Sequence, residues 1–318
     1  MGLLIRALED PARPFNLRIA NRLFGENTFA FEHSFLEWTK AAYGAALEPM
    51  NFKGAAEASR SHINAWIENR TEHRIQNLLP ASSINADTRL VLVNAIYFHA
   101  SWQEQFSENE TAKAPFHLSP SSNHDVWTMH HEGQFRAAQA QGVRVLELPY
   151  QGGDAAMVIV LPDKIDGLAE VEQTLTAATI DTWTKAFRGK RRIIVSLPRF
   201  TFDPSVPLSL SNDLSALGMS AAFDANKADF SNISRPKQQN DRLSLSNVFH
   251  KAFVKVDEHG TEAAASTAVV TGLTAALRSE PPPPPLVFRA DHPFLFLIID
   301  KPSGLILFIG RVNDPSAI

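Results

Sequence analysis

The sequence predicts a mixed α and β fold in which helices pack on a large mixed or antiparallel sheet. Three observations point to it. Before residue 80, apolar positions recur near helical spacing. From residue 89 onward, apolar runs rich in β-branched residues take over. A helical insertion at 165–187 then separates two of those runs. The chain has 318 residues, of which 44% are hydrophobic, enough for a sizeable buried core. That length suits one large domain or two average ones and does not choose between them.

Residues 14–50 read as helical stretches with a short extended piece. Residues 54–79 carry Ile63, Trp66, Ile67 and Ile75 near helical spacing, and the run ends before Pro80. Residues 89–98, Arg-Leu-Val-Leu-Val-Asn-Ala-Ile-Tyr-Phe, are almost continuously apolar, which predicts a strand buried on both faces. Further strand-like runs lie at 143–149, 155–161, 193–202, 249–256 and 294–311. The sequence Tyr150-Gln151-Gly152-Gly153-Asp154 predicts a hairpin turn between two of them. A shorter helix near 208–217 should end at Gly218. Five prolines, Pro281 to Pro285, lack backbone donors and predict an extended spacer.

Charge and composition exclude several functions. The formal net charge is −4, from 30 basic and 34 acidic residues well mixed along the chain. Phosphate backbones require a concentrated basic face, so nucleic acid is not expected as a partner. The one basic cluster, Arg188-Gly189-Lys190-Arg191-Arg192, reads as a solvated turn before a strand. Cysteine is absent, which removes disulfides and thiolate metal sites. No run reaches the roughly 18–20 apolar residues that a membrane span needs, and a soluble chain is expected. Met1-Gly2-Leu3-Leu4-Ile5-Arg6 becomes charged too early for a secretory signal.

Catalytic motifs are missing: there is no G-x-S-x-G elbow, no P-loop, no G-x-G-x-x-G after a strand and no H-E-x-x-H. His124, His130 and His131 lie close together, but their flanks read as loop and no pattern supplies further ligands. No metal or other cofactor is expected.

One segment is unusual. Gly260 to Ala276 holds a single charge, Glu262, no proline, and mostly small residues. Its alanines favour helix while its threonines and valines favour strand. As a strand it would place Thr261, Ala263, Ala265, Thr267, Val269, Thr271 and Leu273 on one face, with Glu262 on the other. An alanine-rich linker, a core strand and a loop able to change conformation all remain open on pattern alone.

Here the residues match a known family. Asp257-Glu258-His259-Gly260-Thr261-Glu262-Ala263-Ala264-Ala265-Ser266 resembles the hinge of the serpin reactive-centre loop. Leu92-Val93-Asn94-Ala95-Ile96-Tyr97-Phe98 with Trp102, Leu197-Pro198-Arg199-Phe200 and His250-Lys251-Ala252-Phe253 also resemble serpin stretches, in the family's order. So do Ala290-Asp291-His292-Pro293-Phe294-Leu295-Phe296 and Phe308-Ile309-Gly310-Arg311-Val312. The resemblance runs from about residue 14 to the C-terminus. It implies one serpin domain over 1–318: a large central sheet with two smaller sheets, surrounding helices and an exposed loop at 258–287.

The resemblance also implies a mechanism. A serine protease attacks the loop and forms an acyl-enzyme; the severed hinge then enters the main sheet as a new strand and traps the ester. Small side chains suit that entry, because bulky or charged ones would overpack the sheet. By the family's register, counting forward from Gly260 puts the cleaved bond at Thr274–Ala275, which suits elastase-like or subtilisin-like proteases. Arg278–Ser279 is the alternative and would suit a trypsin-like enzyme, with a longer hinge-to-bond spacing. Asn94 and His250 match polar residues that hydrogen-bond behind the opening strands, where a buried pair gates insertion, and Trp102 and Glu258 match the point where the hinge first enters. The family implies a monomer without a membrane partner and an extracellular location. His259 stands where the family often has an acidic or small residue. Serpins normally begin with several helices and an edge strand ahead of the match at Leu17–Phe24, and here only Met1 to Pro14 precede it. A non-inhibitory relative with a chaperone, carrier or storage role, or an inactive fragment, is the competing expectation.

Overall fold

The computed structural model describes residues 2–43, 47–235, 242–245, 248–262 and 283–316. The chain divides into two compact units: Met1–Ala12, Asn16–Phe98 and Phe202–Phe253 form the first, and Arg13–Phe15, His99–Thr201 and Val254–Ile318 the second.

The first unit contains α1 (Gly2–Leu8), β1 (Asn16–Glu26), α2 (His33–Tyr43), β2 (Glu48–Met50) and α3 (Phe52–Arg70). It also holds β10 (Leu208–Ser209) and most of β3 (Leu90–Ser101) and β11 (Phe249–Asp257). Its strands lie in the order β10-β11-β3-β1-β2. Phe24, Phe52, Ile63, Ile67, Val93 and Phe253 meet in its core. Asn51 caps α3, its Oδ1 accepting from the Gly54 amide at 2.8 Å. The helix stops at Thr71 rather than running to 79 as the spacing predicts, because Glu72 and His73 adopt positive φ (52° and 60°). Ile75, Leu78 and Leu79 are still buried, from a loop pinned by Asn64. Its side chain accepts from the Leu79 amide and donates to the Leu79 carbonyl, both at 2.9 Å.

The stretch 14–50 holds the expected helix in α2, but its extended part is longer than the short piece expected. Leu17, Ala20 and Phe24 are spaced like a helix face, yet Asn16–Glu26 is an eleven-residue strand pairing in parallel with β2. Tertiary pairing overrides a weak local pattern here. Near 208–217 the chain forms β10 and then Ser211–Leu214, a π turn over Ser215–Met219 and Ser220–Phe223. Gly218, at φ 106°, breaks this run within it rather than ending it.

The second unit is built on β4 (Ala112–Ser119), β5 (Ser122–Ala140), β6 (Val143–Pro149), β7 (Ala155–Pro162) and β8 (Arg191–Pro198), with α4 (Leu168–Gln173) and α5 (Ala177–Lys185) between the last two. β12 (Gly260–Thr261), β13 (Leu286–Arg289), β14 (Phe294–Asp300) and β15 (Leu305–Val312) complete it. β9 (Phe200–Phe202), like β3 and β11, runs across a boundary of the division. Eight strands form one sheet, ordered β13-β8-β5-β6-β7-β14-β15 with β4 on β5. β7 is buried along its whole length, as its apolar run requires. Val145, Val160 and Leu297 of the sheet pack with Leu168 and Val171 of α4 and Trp183 of α5. Gly152 and Gly153 turn the β6–β7 hairpin at φ 80° and 77°, where a side chain would be strained. Among the described residues, no helix is long and apolar enough to cross a membrane.

Candidate functional site: the hinge strand

Within the second unit, β11 reverses through Glu258–His259 and returns as β12. The pairs are Val256 with Thr261 and Asp257 with Gly260. The other edge of β12 pairs antiparallel with β3, Gly260 opposite Ser101 and Thr261 opposite Ala100. Gly260 and Thr261 of the hinge therefore have a strand on each side. Gly260 sits at φ 153°, and a Cβ there would run into the Ala100 carbonyl oxygen. Thr261 is fully buried, and its hydroxyl meets the buried Tyr150 phenol oxygen at 2.6 Å. Burial pushes the Tyr150 hydroxyl pKa up despite this bond, so it stays protonated.

Trp102 closes this site. It is 3% exposed, stacks on Tyr150 with ring centroids 4.6 Å apart, and donates from Nε1 to the Asp257 carbonyl at 2.9 Å. Its amide donates to the His259 carbonyl at 2.8 Å, and the Phe106 amide to the Glu258 carbonyl at 3.0 Å. The Glu258–His259 turn is thus held from its backbone. The Glu258 carboxylate is buried, and its Oε1 accepts from Thr111 Oγ1 at 2.5 Å and from Arg199 Nε at 2.7 Å. Burial alone would raise its pKa. The hydrogen bonds from Arg199 and Thr111, the residue's own amide and the guanidinium charge outweigh that and hold the carboxyl below its usual range. His259 turns its Nε2 to Glu108 Oε1 at 3.0 Å.

Within the first unit the same two strands are neighbours. Asn94 to Tyr97 of β3 pair in parallel with His250 to Phe253 of β11, with Asn94 opposite His250. Both residues are half-buried, and no hydrogen bond joins their side chains. Burial lowers the His250 pKa, which keeps the ring neutral at pH 7.

The fold thus gathers Glu258, Gly260, Thr261 and Trp102 at one place, with Glu262 following at φ 55° and donating its amide to the Lys255 carbonyl at 3.0 Å. Ala263, Ala264, Ala265 and Ser266 of the hinge, and Thr274, Ala275, Arg278 and Ser279 of the two candidate bonds, lie outside the described residues. Sequence reasoning missed Thr111, Tyr150 and Arg199 as partners. Arg199 stood in the Leu197–Phe200 motif and Tyr150 in the hairpin, but only the folded sheet brings them to Glu258 and Thr261. The histidines that read as loop are a correction, since His124, His130 and His131 all lie on β5. Their partners differ: Ser316, Ser196 and Glu104, respectively. Among the described residues no group of side chains is arranged to hold a metal.

The described residues thus form a mixed-sheet fold in which β12 lies between β3 and β11. Residues 1–315 match the family described as Serpin (serine protease inhibitor), and the chain belongs to that family of protease inhibitors. It is 40% identical to the leukocyte elastase inhibitor of Homo sapiens over 306 residues, covering 94% of this chain and 78% of that protein. It is 37% identical to Serpin B10 of Homo sapiens over 315 residues, covering 98% of this chain and 76% of that protein. Among solved structures, uncleaved ovalbumin matches with a TM-score of 0.83 at 31% identity, covering 98% of this chain and 77% of the other.

Proposed function

We propose that this protein inhibits serine proteases as a suicide substrate, through loop cleavage, acyl-enzyme trapping and entry of the hinge into the sheet. The observation that carries this reading is β12, paired on both edges by β3 and β11. Entry is already begun there, and continuing it requires the Asn94–Tyr97 and His250–Phe253 pairing to part. The residues that would follow, Ala263 to Ser266, are small enough to be buried without overpacking. We assign the cleaved bond to Thr274–Ala275, with Arg278–Ser279 as the alternative. The relatives named leukocyte elastase inhibitor support an elastase-like target.

Incubation with an elastase-like, a subtilisin-like and a trypsin-like protease, followed by denaturing electrophoresis, tests the proposal. A band at the summed mass that survives boiling is expected with the first or second enzyme. Mass spectrometry of the released C-terminal piece then reads the bond. Clean loop cleavage without that band from all three would turn the reading toward a non-inhibitory carrier. The similarity in fold to thyroxine-binding globulin complexed with thyroxine, at 27% identity, keeps that role as the second reading.

A further inference from the structure

A second site lies in the eight-stranded sheet, away from the hinge residues. The registers put His130 of β5 opposite Ser196 of β8, and Ser196 opposite Arg289 of β13. Three neighbouring strands therefore carry a His–Ser–Arg row on one face, with strands about 4.8 Å apart. This row borders a 450 Å³ cavity whose other lining includes Phe116, Ile194 and Val287. Ile194 and Val287 are themselves a cross-strand pair, one alternation step along from the polar row. The residues after β13 close one wall: the Ala290 amide donates to the Ser196 carbonyl at 2.9 Å, and the Asp291 carbonyl accepts from the His117 amide of β4 at 2.8 Å.

The polar groups are unevenly satisfied. Ser196 is buried, and its hydroxyl meets His130 Nδ1 at 3.0 Å, which leaves Nε2 of that ring without a partner among the described residues. Arg289 has no carboxylate within ion-pair distance among the described residues, and it is one of the residues that line the cavity. The lone acidic group of the lining, Asp291, is bound to His292 Nδ1 at 2.8 Å. That carboxylate opposes a second negative charge in the cavity, while Arg289 and the His130–Ser196 pair favour a single one.

We propose that this cavity binds a small monocarboxylate with an aryl or alkyl body. The head group lies along the His130–Ser196–Arg289 row and the body on Phe116, Ile194 and Val287. A few convergent polar groups beside apolar walls, in a space of this size, are what small-ligand sites have in common. Isothermal titration of the full chain with phenylbutyrate, its neutral amide and inorganic phosphate tests it. Phenylbutyrate should bind saturably at one equivalent per chain, with the amide and phosphate weaker by about tenfold or more. Arg289→Gln, at an exposed position, should weaken phenylbutyrate by about tenfold with an unchanged melting temperature. Val287→Trp, which fills the cavity from a half-exposed position, should abolish binding. No saturable heat at millimolar phenylbutyrate, or equal affinity in Arg289→Gln, would overturn the proposal.

Discussion

Thr261 has no exposed surface, and its hydroxyl shares a short hydrogen bond with a phenol that burial keeps protonated. Thr261→Val keeps the shape of the side chain and leaves the Tyr150 hydroxyl buried without this partner. A loss of about 0.5–1.5 kcal/mol in urea unfolding is expected, the usual net worth of one buried hydrogen bond. The Tyr150→Phe and Thr261→Val double variant should recover part of it, since both partners are then apolar. A double variant as weak as the sum of the singles would count against the coupling. Gly260 was legible in the sequence by its place in the hinge motif. Its steric reason was not, because the Ala100 carbonyl that excludes a Cβ lies on a distant strand.

At the scale of elements, β3 and β11 were legible as apolar runs, but β3 is buried mainly on alternate residues, with Leu92 exposed, rather than on both faces as its continuous apolar run predicts. β4 and β5 were not, because residues 112–140 intersperse charges and histidines on half-exposed strands whose alternation is weak. The pairing of β3 with β11 places His250 in the sheet with its pKa lowered by burial. A histidine depressed in the folded state binds fewer protons than the unfolded chain does below pH about 6.5. Its contribution is therefore full above that value and is lost as pH falls toward the folded pKa. Urea unfolding at about pH 7.5 and 5.5 should show the native chain losing more stability between the two than His250→Gln. Equal losses would place the acid sensitivity elsewhere.

Over the whole molecule, the proposed mechanism makes the native state a less stable arrangement than the cleaved one. Insertion of the hinge adds ladder hydrogen bonds and buries small apolar side chains without a new charge, as the position of Glu262 on the opposite alternation face allows. Thermal unfolding before and after cutting within residues 272–277 is the direct check. The midpoint should rise by at least about 10 °C, since each kcal/mol moves the midpoint of a large domain by roughly 2–4 °C. An unchanged midpoint would mean that the hinge stays where β12 ends.

Family membership and the order of the hinge motifs could be read from residues alone, because they depend on side-chain type along short stretches. The buried strands at 143–149 and 155–161 could be read too, since burial on both faces leaves a continuous apolar run. The partners of the hinge could not. Glu258 meets Thr111 and Arg199, and Thr261 meets Tyr150, across separations of 147, 59 and 111 residues. The His130–Ser196–Arg289 row likewise exists only through the register of three strands. Local pattern carries no information about which distant strand lies alongside. That is decided by how the sheets close over their cores, and only the tertiary structure supplies it.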